Sequence, residues 1–129
     1  MNPKQFLQIG GVVLVLVGLL GFFNVLGPDA ANSIFGSSWW FDSAENWAHL
    51  VLGVVALVAA FVFPANTQKP LVIAVGALGL LAGLYSAFGE VNLLGANLEN
   101  PADTVLHLVV GAWALWAGMK KAESLPMAM

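Results

Sequence analysis

The chain has 129 residues; 60% are hydrophobic, only 9% are charged, the formal net charge is −3, and there is no cysteine. Soluble domains run nearer to about a quarter charged. A single soluble core of this length has no room for so much apolar surface, so an integral membrane protein is expected. Lack of cysteine excludes disulfides and thiolate metal sites. Lack of arginine leaves no bidentate clamp for phosphate, and no nucleic-acid partner is expected.

The first apolar stretch, 6–26, follows Met1-Asn2-Pro3-Lys4. It has no basic n-region and no A-x-A-type cleavage site, so a retained helix is expected rather than a signal peptide. It is long enough to cross a bilayer core, and Gly27-Pro28-Asp29 is expected to end it. The following loop carries Trp39-Trp40-Phe41, which is expected to lie on the lipid headgroups as part of an aromatic belt, with Trp47 beside it. The second stretch is 47–63. Pro64 and Pro70 are expected to bracket the next turn. The third stretch, 71–88, is closed by Gly89. Asn100-Pro101-Ala102-Asp103 opens the fourth, 105–119, with a proline near the start and an acid in the first turn. Trp113 and Trp116 fall toward its far half.

The last three stretches lie near the lower limit of ~17 residues for a span. Backbone groups in lipid have to be satisfied within the segment, so the stretches are read as helices. The runs are continuous and too long for barrel strands. All four cationic residues are lysines: Lys4, Lys69, Lys120 and Lys121. With four spans, they share one side of the membrane, whereas Asp29, Asp42, Glu45, Glu90, Glu99 and Asp103 share the other. The positive-inside rule then puts both termini in the cytoplasm and makes the outer face acidic.

A short phrase occurs twice. Ala44-Glu45-Asn46-Trp47-Ala48-His49-Leu50-Val51-Leu52-Gly53 is matched by Ala102-Asp103-Thr104-Val105-Leu106-His107-Leu108-Val109-Val110-Gly111. The chain's two histidines both lie in it. Anchoring on Gly21/Gly83 and Gly27/Gly89 aligns the first and third helices. The expected fold is an all-α integral membrane protein, a single domain over 1–129. Its four transmembrane helices form two parallel helical-hairpin repeats, 6–63 and 71–119, related by an axis along the membrane normal. Small residues at helical spacing, Gly53, Gly79, Gly83 and Gly111 among them, are expected to let the helix backbones approach.

Within each phrase an acid precedes a histidine by four residues, which puts both on one helix face. The acid lies in the first turn, where the helix dipole favours negative charge. Three readings follow for Glu45, His49, Asp103 and His107. In the structural one, each acid caps its helix and the imidazole bonds a neighbouring helix. In the cofactor one, His49 and His107 ligate a haem or chlorophyll, or all four residues hold a divalent metal. In the transport one, the pairs relay protons or cations at the outer mouth of a small channel or transporter. Ser33, Ser37, Ser38 and Ser43 crowd the first outer loop and Tyr85 and Ser86 end the third helix, but no nucleophile motif accompanies them. No catalytic residue is assigned.

The phrases Asn46-Trp47-Ala48-His49-Leu50 and Asp103-Thr104-Val105-Leu106-His107-Leu108, with the glycine-rich Gly18-Leu19-Leu20-Gly21-Phe22, resemble a family of small four-span membrane proteins of bacteria and cyanobacteria, defined only as a domain of unknown function. The resemblance covers nearly the whole chain. The chain departs from the pattern at Thr104, where Asn is frequent, and in its Trp-rich first outer loop. The resemblance implies a four-span fold with a repeat, in a bacterial inner or photosynthetic membrane, and no reaction. The expected role is a non-enzymatic accessory or scaffold subunit, without a cofactor, in contact with lipid and with other membrane subunits or copies of itself.

Overall fold

The computed structural model describes residues 1–120; Lys121, counted above among the lysines of one side, lies outside them. Among the described residues there are four α-helices: α1 (Pro3–Phe22), α2 (Ser43–Val62), α3 (Ala65–Ala87) and α4 (Ala102–Gly118). Two single 3₁₀ turns, Ala30–Asn32 and Gly36–Ser38, lie between α1 and α2. A small antiparallel hairpin, β1 (Asn92–Leu93) with β2 (Ala96–Asn97), lies between α3 and α4. Helices α1, α2 and α3 are long and apolar enough to cross a membrane, and α4 is a shorter apolar helix of 17 residues. At ~1.5 Å per residue α4 is about 26 Å long. The chain is thus a small multi-span membrane protein.

Local chemistry sets the boundaries, and several differ from the apolar runs. Helix α1 begins at Pro3, where Asn2 and Gln5 form a reciprocal cap: each side-chain oxygen accepts from the other's backbone N–H, at 2.8 and 3.0 Å. It ends at Phe22, before Gly27-Pro28, because Asn24 turns into the left-handed region at φ 63°. Helix α2 starts at Ser43, ahead of its apolar run, because Asp42 and Glu45 form the same kind of box. Pro70 does not bound the turn before α3. It lies inside α3, which starts at Ala65. That extra turn is held by Gln68, whose buried amide donates to the carbonyls of Ala59, Ala60 and Phe63 at 3.0, 3.1 and 3.2 Å. The carbonyl that Pro70 deprives of a donor belongs to Asn66, an exposed residue that water can reach. The strand pair was not expected from the apolar runs. Leu94 and Gly95 both take positive φ at its tip, the geometry of a two-residue hairpin turn.

The helices pair as α1 with α2 and α3 with α4. Glycine makes each pairing close. A Cβ on Gly53 would lie 2.7 Å from the backbone nitrogen of Val15 and 2.8 Å from the carbonyl oxygen of Gly11. On Gly111 it would lie 2.7 Å from the nitrogen of Leu80 and 3.0 Å from the oxygen of Gly76. Gly18 abuts Leu50 as Gly83 abuts Leu108. The matching contacts therefore pair Gly11 with Gly76 and Gly18 with Gly83. This register lies one helical turn from the Gly21/Gly83 anchoring, because glycines recurring at helical spacing fit more than one alignment. In the contact register Gly21 corresponds to Ser86, and each faces the matching residue of its partner helix, Asn46 and Thr104.

The two hairpins meet mainly at their ends. At the lysine end, where Lys4, Lys69 and Lys120 lie, Phe6, Leu7, Ala59, Ala60, Val72, Ala114 and Ala117 form the buried core. Trp113 closes it edge-on to Phe6, with ring centroids 4.6 Å apart. Trp116 instead stays half exposed, under the Lys120 ammonium. At the opposite, acid end the link is polar.

Candidate functional site

The first turns of α2 and α4, where the dipole favours anions, present Glu45 and Asp103 toward one point. The segment after β2 brings Glu99 there too. Ligand oxygens of Glu45, Glu99 and Asp103 all lie within 4.8 Å of one another. Glu45 and Asp103 are 3% and 2% exposed, and Glu99 is 9% exposed. Three carboxylates thus converge in a nearly dry place.

The loops form a frame around them. The Trp39 indole N–H donates to Asp103 Oδ1 at 2.9 Å, and the Glu99 backbone N–H to Asp103 Oδ2 at 2.8 Å. The Trp40 backbone N–H donates to Glu99 Oε1 at 3.1 Å. Asp42 accepts from the Glu45 and Asn97 backbones at 2.9 and 2.8 Å. The Trp-Trp-Phe run, expected on the headgroups, is tied into this frame. It folds inward because its N–H groups find buried carboxylates and Phe41 finds an apolar seat. Phe41 is 3% exposed and packs edge-on to Trp39 and His49, at 5.1 and 5.0 Å between centroids. Trp47, more than half exposed, packs edge-on to Phe22.

These bonds cross between the hairpins, so the site is also the polar clasp of the fold. They do not use every oxygen. Glu45 Oε2 and Glu99 Oε2 are buried without a partner. So are both amide atoms of Asn46 and Nδ1 of His49, in the adjoining turn of α2. Burial first, and then the Asp103 carboxylate beside it, push the Glu99 carboxyl up from 4.5 to about 8. Near neutral pH a group so placed holds a proton unless another cation supplies the charge.

Of the residues singled out in the sequence, Glu45 and Asp103 come together. Neither histidine belongs to the carboxylate group. The acid four residues before each histidine does not bond it: His107 Nδ1 lies 2.7 Å from the backbone oxygen of Asp103, not from its carboxylate. The packing glycines Gly53, Gly79, Gly83 and Gly111 all lie between paired helices. Ser33 and Tyr85 bond backbone carbonyls of their loops, and Ser86 bonds across to α4. Ser33 donates to the Trp39 carbonyl at 2.6 Å, Ser86 bonds Thr104 at 2.7 Å, and Tyr85 donates to the Asn92 carbonyl at 2.6 Å. Glu99 and Trp39 are the site residues that sequence reasoning missed. Glu99 lies outside the repeated phrase, and the one available signal was an acid four residues ahead of Asp103. Trp39 reaches Asp103 across 64 positions of chain, a contact without a sequence signature.

Beside Glu99 a surface depression of about 500 Å³ opens, lined by Ser37, Ser38, Trp40, Asn97, Glu99 and Asn100 among others. Comparison with protein-family models, with curated proteins and with solved structures returns no match.

Proposed function

We propose that the chain is a non-enzymatic accessory or scaffold subunit that packs beside a larger membrane assembly or against copies of itself. The observation that carries this reading is a set of apolar side chains on the acid-end loops. Ile34, Phe35, Phe88 and Leu94 lie beyond the helix bodies and are 71, 51, 85 and 97% exposed. Acyl chains suit the exposed helix faces, whereas these groups lie on the loops at one end of the bundle, where a protein partner would take them out of water. Gathered into one patch, such groups mark a contact surface. The glycine seams offer no such surface, since their close contacts are with the sibling helix. Four spans with both termini cytoplasmic, in a bacterial inner or photosynthetic membrane, complete the reading. It rests on the segregation of lysines from acids and on the resemblance to the small four-span family. Native mass spectrometry after gentle extraction from the chain's own membrane tests it. A species carrying a second protein, or multiples of the chain mass, is expected. A bare monomer would overturn it.

One observation favours a second reading, a haem, chlorophyll or metal ligated by His49 and His107. A backbone carbonyl only accepts, so the Asp103 carbonyl fixes the proton of His107 on Nδ1 and leaves Nε2 with its lone pair. That is how ligand imidazoles are held. On this reading His49→Ala with His107→Ala abolishes an absorbance band or a bound metal in the purified protein. Unchanged absorbance and metal content would remove it.

A further inference from the structure

We propose that Glu45, Glu99 and Asp103 bind a divalent cation of the calcium type at the acid end of the bundle. This is independent of the accessory reading and of the histidines. The first argument is geometric. A calcium ion takes oxygen ligands at ~2.3–2.6 Å, so oxygens grouped around one ion lie up to about 5 Å apart. The three carboxylates meet that condition, with ligand oxygens all within 4.8 Å of one another.

The second argument comes from unmet bonding. Glu45 and Glu99 are each fixed by an N–H donor on one oxygen, Asp42 N–H on Glu45 Oε1 and Trp40 N–H on Glu99 Oε1, whereas Asp103 accepts on both, from Trp39 Nε1–H on Oδ1 and from the Glu99 N–H on Oδ2. The other oxygens of Glu45 and Glu99 are buried and bonded to nothing, and Glu45 is 3% exposed. Buried carboxylate oxygens are ordinarily satisfied, and an orphan calls for a reason. All the buried side-chain orphans among the described residues belong to Glu45, Asn46, His49 and Glu99, around this one end.

The third argument is charge. The chain has no arginine, and Lys4, Lys69 and Lys120 lie at the other end of the helices. No side-chain cation of the described residues is placed to neutralise three converging carboxylates in a low-dielectric setting. A divalent ion does so while filling the vacant lone pairs. The set is all oxygen and on a fixed frame, which suits a hard cation rather than a soft metal. Of the three carboxylates Glu99 lines the surface depression and so meets the outside of the protein there.

The test uses the full chain, stripped with chelator, in detergent micelles. Trp39 bonds Asp103 directly, so terbium bound at the trio should emit on tryptophan excitation. Saturable emission that calcium displaces is expected. Glu99→Gln and Glu45→Gln should each weaken terbium binding by at least about tenfold, since affinity follows ligand charge count. Asp29→Asn and Glu90→Gln, at acids outside the trio, should leave it unchanged. Absence of calcium-displaceable emission from the wild-type chain would overturn the proposal, with no variant needed. So would equal losses in the trio and control variants, which mean diffuse surface binding. Helical circular dichroism is read on each variant. If a variant misfolds, the wild-type titration decides, with a rise in melting temperature on adding calcium expected and no rise counting against the site.

Discussion

Gly111→Ala is expected to lower the stability of the α3–α4 hairpin by about 2–3 kcal/mol, and Gly111→Leu to prevent its native packing. The argument is steric. The added Cβ would sit 2.7 Å from the backbone nitrogen of Leu80 and 3.0 Å from the backbone oxygen of Gly76. Backbone atoms of a helix cannot swing aside as a side chain can, so the two helices have to separate. Overpacking of this kind costs about 1–3 kcal/mol where side chains alone adjust. Here separation also loosens the neighbouring contacts at Gly76, Gly79 and Gly83. Lipid offers no hydrophobic drive to hold the helices together once close packing is lost. Helix propensity acts the other way, favouring Ala over Gly by up to about 1 kcal/mol, and is the smaller effect. A graded series makes the claim sharp. Gly10 would meet only the Phe6 ring, at 3.8 Å, and Gly79 would meet the Gly111 Cα at 3.2 Å. Melting in detergent should therefore rank Gly10→Ala as neutral or better, Gly79→Ala as intermediate and Gly111→Ala as worst. Gly53→Ala should match Gly111→Ala, since it meets Val15 and Gly11 in the same way. Equal melting temperatures across the four variants would refute this account of the seam.

The residues of that seam were legible because glycine at helical spacing in an apolar run has few other uses. The hairpins followed from the duplicated phrase, and the segregation of lysines from acids named the two ends. Particular registers were not legible. Gly18 and Gly21 are both spaced to match Gly83, and only the contacts of Leu50 with Gly18 and of Leu108 with Gly83 decide between them. Pro70 read as a helix boundary, because a proline signal is local and the contact that overrides it is not: Gln68 reaches back to α2. The site was half legible. Glu45 and Asp103 are symmetric partners, so convergence of the two hairpins brings both to one place. Glu99 and Trp39 enter through loops whose paths are set by bonds between distant segments, Trp40 to Glu99 and Asn97 to Asp42. Nothing in their spacing announces those bonds. The uniform apolar runs left helix rotation open, so the sequence alone could not say that the carboxylates would meet while the histidines stayed outside their group.

Gln68→Leu should produce the other large effect, a loss of about 2–4 kcal/mol, although it puts an apolar residue of similar size at a buried place. Gln68 is 4% exposed, and its amide nitrogen lies 3.0, 3.1 and 3.2 Å from the carbonyl oxygens of Ala59, Ala60 and Phe63. Those carbonyls belong to the end of α2, where a helix leaves its last acceptors without internal donors. Removing the donor leaves buried acceptors unmet, at about 1–3 kcal/mol for each group fully deprived. Only part of that applies here, because the Phe63 N–H still donates to Ala59. Greater apolar character at position 68 offsets some of the rest. Gln68→Glu separates bonding from shape. It keeps the length of the side chain but aims an acceptor at three acceptors, so it should be at least as destabilising. The effect should also be local. Gln68 ties the first turn of α3 to the end of α2 beside the core residues Ala59, Ala60 and Val72. Hydrogen exchange should therefore quicken at the start of α3 and the end of α2 before it quickens at the acid-end clasp, where Trp39 and Asp103 still bind. If exchange rises evenly along the chain, or Gln68→Leu melts with the wild type, the amide is not what holds the α2–α3 turn.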